Sequence, residues 1–297
     1  MSHHDFRFWR WPHFRALVVL LVFAALISIP MSAAAKGGGK GKGKTLIVSQ
    51  RNGTVDFGDP CPSPRTAAKY LDVQTAVDCA LEGDTIKIRP GAYSNWPAGQ
   101  EEPNGVQVSK SLNLVGSGIH QTVLKTSNVG IGLPEFPPTE ERIVVRISNM
   151  TLASADVAGP GEGTCAILCI SRSARVYARG LLLSAVSGVP LAGFAGAVEN
   201  RFGYLELDQC QIVGNTTVLG GPAVYTWRDS YTRIKRSSIV NNVSQTGLGA
   251  IYNDGKMDIF KSLVTANRGG GIVNYGTIKL RGSVVELNQG FDCIGCP

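Results

Sequence analysis

Apolar and polar positions in this chain follow one template. Two apolar residues stand one apart, a small or apolar residue comes three further on, another apolar residue two after that, and a final position three later. Leu205, Leu207, Cys210, Ile212 and Asn215 fill it, as do Thr232, Ile234, Ser237, Ile239 and Asn242. Met257, Ile259, Ser262, Val264 and Asn267 follow, then Ile278, Leu280, Ser283, Val285 and Asn288. Toward the N-terminus the template begins again at Val176, Val145, Leu112 and Ile86, giving eight units whose starts lie 21 to 33 residues apart. A small-apolar pair closes most units: Ala166-Ile167, Ala197-Val198, Ala223-Val224, Ala250-Ile251 and Gly271-Ile272.

Alternation with a period of two is the mark of a strand with one face buried. Short strands recurring at this interval belong to a solenoid, in which each repeat buries its apolar face against its neighbours. Each unit offers three short strands and no helix, without a leucine-rich consensus or the four strands of a propeller blade. The template therefore predicts an all-β, single-stranded parallel β-helix of about eight coils.

Such a coil stacks like residues in columns. Cys210 falls in line with Ser237, Ser262 and Ser283, which predicts a buried, inert thiol. Asn215, Asn242, Asn267 and Asn288 fall in another column and predict an asparagine ladder whose amides bond from coil to coil. Of the Asn-x-Ser/Thr sequences at Asn52, Asn149, Asn215 and Asn242, only Asn52 is then expected to suit a glycan. Val73, Ala76, Val77 and Ala80 show helical spacing instead, behind Asp72 as an N-cap and before Gly83 as a stop. They predict a short capping helix over residues 72–82, covering core and strand edges at the N-terminal end. The far end runs out as Cys293-Ile294-Gly295-Cys296-Pro297. A cysteine-pinned turn or self-association at that C-terminal edge is expected to cover it.

Composition sharpens this picture. Hydrophobic residues make up 43% of the 297, which excludes a disordered chain, and the 36 glycines show no collagen period. The net charge of +7 is misleading. Without the three arginines and one aspartate of residues 1–35 and the four lysines of 36–44, 22 basic residues face 21 acidic ones. A near-neutral body gives no case for nucleic acid. Arg7, Arg10 and Arg15 precede an apolar run of 14 residues, Ala16–Ile29, followed by Pro30 and Ser32-Ala33-Ala34-Ala35. That is too short to span a bilayer and reads as a signal peptide over 1–35. Residues 36–44 (KGGGKGKGK) read as a flexible linker, and 45–297 as the β-helix domain. The expected location is secreted, periplasmic or extracellular, with no membrane span after cleavage.

Export permits disulfides. The seven cysteines suggest Cys61–Cys79, Cys165–Cys169 and Cys293–Cys296, with Cys210 left over. The single Cys-x-x-Cys has no second pair at zinc spacing, and His120 is the one histidine beyond the signal, so no metal site is expected.

Val73-Gln74-Thr75-Ala76-Val77-Asp78, Glu82-Gly83-Asp84-Thr85-Ile86 and Arg89-Pro90-Gly91-Ala92-Tyr93 resemble the N-terminal cap and first coil of the right-handed parallel β-helix proteins of the pectate-lyase-like superfamily. Ser111-Leu112-Asn113-Leu114-Val115-Gly116-Ser117-Gly118 resembles the next coil, and the later Gly-rich and x-x-x-Asn units are similar to those of bacterial polymorphic surface proteins. The resemblance implies the fold over residues 45–296. It implies no single activity, because the superfamily mixes enzymes with adhesins.

In the superfamily's enzymes the substrate cleft lies on the outward face of the first strand, which by resemblance holds the first two template positions here. Glu206, Arg233, Asp258 and Lys279 form one outward column there, and Arg179, Asp208 and Lys235 belong to the next. Neighbouring coils are about 4.8 Å apart, so the alternating signs read as a salt-bridge ladder or as a polar groove for a uronate-containing or neutral glycan, with Arg179, Arg233 and Lys235 meeting carboxylates. Tyr225, Trp227, Tyr252 and Tyr275 recur near the third-strand turns, together with Tyr231, as rings on which sugars stack. The leading expectation is a secreted protein presenting an extended surface to polysaccharide or cell-surface glycan. One alternative is a polysaccharide lyase or glycoside hydrolase using Glu206, Asp208, Arg233 and Lys235, the lyase being the one reading that admits Ca²⁺ and the hydrolase using Glu206 and Asp208, about 7 Å apart on one strand face. The other is a structural surface or assembly protein. No other cofactor is implied.

Overall fold

The fold is a right-handed parallel β-helix, obtained as a computed structural model that describes residues 43–56, 58–94, 105–126, 129–132, 142–154, 167–172, 174–184, 196–217 and 221–297. The expected signal peptide, most of the expected linker and Cys165 lie outside the described residues. Lys44 already belongs to the body: its N–H donates to Asp84 Oδ1 at 2.7 Å.

Why the chain coils is visible rung by rung. The first strands stack in parallel register as Thr85–Ile88, Leu112–Val115, the leading parts of Ile143–Ser154 and Ala174–Ser184, then Tyr204–Asp208, Tyr231–Lys235, Lys256–Phe260 and Thr277–Arg281. Thr45–Val48 adds a rung ahead of the first template unit, and Lys69–Tyr70 pairs outside it. Third strands form a separate parallel sheet from Val106–Val108 to Cys293–Ile294. Template apolars point inward as expected: Val176, Leu205, Ile234, Ile259 and Ile212 are all fully buried. Each such aliphatic contributes about 1.5–3 kcal/mol by leaving water.

The corners repeat as faithfully as the strands. Asn149, Gly180, Gln209, Arg236, Lys261 and Gly282 end the first strands with φ between 46° and 59°. A left-handed residue costs a non-glycine about 1–2 kcal/mol, and stacking against the coils above and below holds it there.

The predicted asparagine ladder is present, and the predicted serine column bonds from coil to coil as well. Asn215 Nδ2 donates to Asn242 Oδ1 at 3.0 Å, Asn242 to Asn267 at 3.0 Å, and Asn267 to Asn288 at 2.9 Å. Each Oδ1 also accepts the preceding asparagine's backbone N–H, and Asp292 Oδ1 ends the column by accepting from both nitrogens of Asn288. In the other column Ser237, Ser262 and Ser283 hydroxyls accept the N–H groups of Cys210, Ser237 and Ser262. Cys210 is free and buried, and burial pushes its thiol up to about 11.

The helix spans Val73–Cys79, with Asp72 accepting from the Thr75 N–H at 2.8 Å. Its Gln74 amide receives the Gln107 N–H at 2.7 Å and donates to the Gln107 carbonyl at 3.4 Å, taking the place of a further strand beside Val106–Val108. Cys61–Cys79 and Cys293–Cys296 are bridged, with Cα atoms 5.4 Å and 5.9 Å apart, and Cys169 is disulfide-bonded.

One template unit differs. Ile86 pairs with Leu114, not Leu112, and the second strand of that coil is Thr122–Thr126, with Leu124 beside Tyr93 and Leu152. Residues 117–121 form a turn, closed by the N–H groups of Gln121 and Thr122 donating to Gly118 O. The extra turn displaces Ile119 from the inward position the template gives it.

Candidate functional site

Strand alternation with Leu205 and Leu207 turned inward leaves three outward columns on the first-strand face. One carries Arg175, Tyr204 and Tyr231, the middle one Arg146, Tyr177, Glu206, Arg233, Asp258 and Lys279, and the third Arg179, Asp208, Lys235 and Phe260. The expected charge ladder is in register and partly joined. Arg233 lies 3.8 Å from Glu206 and 3.7 Å from Asp258. Lys279 is exposed and has no ion pair with Asp258. Lys235 instead crosses to Glu206 at 2.6 Å.

Asp208 is held by Arg236, a residue absent from the predicted set. Arg236 Nε and one terminal nitrogen donate to the two carboxylate oxygens, the former at 2.9 Å. Burial works against the Asp208 charge, but the Arg236 hydrogen bonds and the charges of Arg236, Lys235 and Arg179 outweigh it and hold this carboxyl below the usual range. Arg236 occupies a left-handed corner with φ 49°, so no strand column foretells its direction. Glu206, Asp208 and Asp258 thus each have a cation at hand. That charge balance does not fit a calcium site. Among the described residues no three His, Cys, Asp or Glu side chains gather at metal-binding distance.

Three tyrosines run up the same face. Tyr177 and Tyr204 ring centres are 5.6 Å apart, Tyr204 and Tyr231 5.4 Å. Tyr231 opens a first strand, so it belongs here and not with the third-strand aromatics. Tyr204 OH donates to Glu206 at 3.3 Å, and Tyr231 OH donates to Asp258. Burial, then the Glu206 charge, pushes the Tyr204 hydroxyl up to about 12.

The arginines nearest the N-terminal part of this stripe are in a different state. Arg146 stands over the Tyr177 ring at 5.4 Å, and Arg179 Nε donates to Gln209 at 3.1 Å. The ion pairs among the described residues involve Arg65, Arg201, Arg228, Arg233, Lys235 and Arg236, and none involves Arg146, Arg175 or Arg179.

On the third-strand flank, Tyr225 and Tyr252 stack at 4.6 Å with planes 17° apart, so those ring faces meet each other. Trp227 lies 5.0 Å from Tyr225 and Tyr275 lies 5.5 Å from Tyr252, Tyr275 being 68% exposed. The Trp227 indole donates to Glu199 at 2.5 Å, and Arg201 pairs with the same carboxylate. Glu199 is 2% exposed and was not foreseen; burial raises its pKa against Arg201 and Trp227. Its signal was its outward place in register with Tyr225.

No protein-family model matches the sequence, and no curated protein matches it. Among solved structures, a pectate lyase is similar over 84% of this chain and 80% of its own, at 10% identity and TM-score 0.41. A pectin methylesterase variant in complex with a hexasaccharide is similar over 78% of this chain and 80% of its own, at 11% identity and TM-score 0.36. These likenesses concern the path of the chain only.

Proposed function

We propose that this is an exported protein whose first-strand face binds an anionic, carboxylate-bearing polysaccharide without cleaving it. The observation that carries the reading is a division of cations on one face. Arg233, Lys235 and Arg236 are paired with the protein's own acids, whereas Arg146, Arg175 and Arg179 form no ion pair among the described residues, Arg179 acting on Asp208 only through its charge. A guanidinium is a fork that matches a carboxylate in two places, and Tyr177 and Tyr204 beside it supply flat apolar surface for a sugar ring. The glycan role of Tyr225 and Tyr252 is weaker in this reading, because their stacked faces serve each other, with Trp227 and Tyr275 beside them on the third-strand flank.

Calorimetric titration of the mature protein with a polyuronate tests this. We expect binding that weakens with added salt and falls at least tenfold in the Arg146→Ala/Arg175→Ala/Arg179→Ala variant, since each charged hydrogen bond contributes roughly 1.5–3 kcal/mol. No shortened chains are expected, with or without Ca²⁺. Polymer breakdown that Asp208→Ala or Arg233→Ala abolishes would establish the enzyme alternative instead.

A further inference from the structure

We propose that a cleft near the N-terminal end of the first-strand face is a second subsite, which anchors one end of the same anionic chain. This rests on the reading above and adds to it the extent of the bound polymer. The cleft has a volume of about 400 Å³ and is lined by Ile47, Lys87, Arg89, Pro90, Val115 and Ser117. Its apolar members offer contact to the C–H faces of a sugar. Its cations share one side: Lys87 lies within Thr85–Ile88, and the Arg89 N–H bonds Val48 O, so the extended backbone runs on through Arg89. Alternate residues of an extended chain project to the same face about 7 Å apart.

Both side chains are exposed, and neither takes part in an ion pair among the described residues. Arg65 shows the contrast, its guanidinium being held at 2.8 Å by Asp84. Register joins the cleft to the arginines of the proposed site. Lys87 pairs with Val115, Val115 with Ser148, and Ser148 with Arg179, so Lys87 and Arg179 stand in one column. Three rungs separate them, about 14 Å along the coil axis. A polyanion lying parallel to that axis reaches from Lys87 and Arg89 to Arg146 and Arg179 before it meets Glu206 and Asp208, whose negative charges end the favourable path.

Joining two weak subsites through one ligand raises overall affinity by making the second contact intramolecular. The test is a titration of wild type, Lys87→Ala/Arg89→Ala and Arg146→Ala/Arg179→Ala with a polyuronate decasaccharide. The inference predicts that Lys87→Ala/Arg89→Ala weakens binding about tenfold, in the range of a lost charged hydrogen bond, and that Lys87→Glu/Arg89→Glu weakens it further. Unchanged affinity in both cleft variants, with binding still lost in Arg146→Ala/Arg179→Ala, would overturn the cleft and leave the main site standing. Absence of decasaccharide binding to wild type would overturn both.

Discussion

The asparagine column and the charge column are built on the same coils at the same spacing, and they do opposite things. Inside, Asn215, Asn242 and Asn267 are fully buried, and each amide satisfies neighbours that no water reaches. Outside, Glu206, Arg233 and Asp258 face solvent in part, and their pairs at 3.7–3.8 Å are loose. Buried polar groups are costly to leave unpaired, whereas exposed ion pairs contribute little. The fold therefore rests on its inward columns, and the outward ones are available for recognition.

The sharpest way to break this contrast is to remove one inner rung. Asn242→Leu removes the acceptor shared by both nitrogens of Asn215 and the donor to the carbonyls of Ile212 and Val240. A loss of about 3 kcal/mol or more is expected, read as a lower midpoint in chemical denaturation. A loss under about 1 kcal/mol would show that the ladder is ornamental.

Two carboxylates sharpen the comparison through pH. Asp208 sits below the usual range, so its contribution is present above the unfolded value of about 3.9 and disappears as pH falls through its folded value. Glu199 sits above its own, so its contribution is present below about 4.3 and is lost as pH rises through its folded value. Melting curves between pH 2 and 7 should show Asp208→Asn removing a loss on acidification and Glu199→Gln removing a loss on the alkaline side. Slopes of the same sign in both variants would contradict the burial argument. The smallest effect is expected from Glu206→Gln, about 1 kcal/mol or less and shrinking with salt.

Much of this was legible in the sequence because a coil repeats its chemistry. The template located the first strands, the asparagine ladder, the serine column and the order of Glu206, Arg233 and Asp258, since alternation alone decides which way a strand residue points. It failed where a residue leaves the strand or a coil gains a turn. Arg236 sits at a left-handed corner, so its hold on Asp208 could not be read from alternation. The turn at 117–121 hid the true register of Ile86 with Leu114. Tyr231 looked like a third-strand aromatic because the turn before it is short, and its place beside Tyr204 emerged only from pairing. Glu199 belongs to no template column, and its outward place in register with Tyr225 does not by itself announce burial.

The most direct measurement is a crystal structure of the protein with a bound polyuronate oligosaccharide. The account predicts sugar density along the first-strand face, with carboxylates on Arg146, Arg175 or Arg179 and the chain extending toward Lys87. Density confined to the Trp227 and Tyr275 flank, or lying across Glu206 and Asp208 with Arg146 and Arg179 untouched, would contradict it.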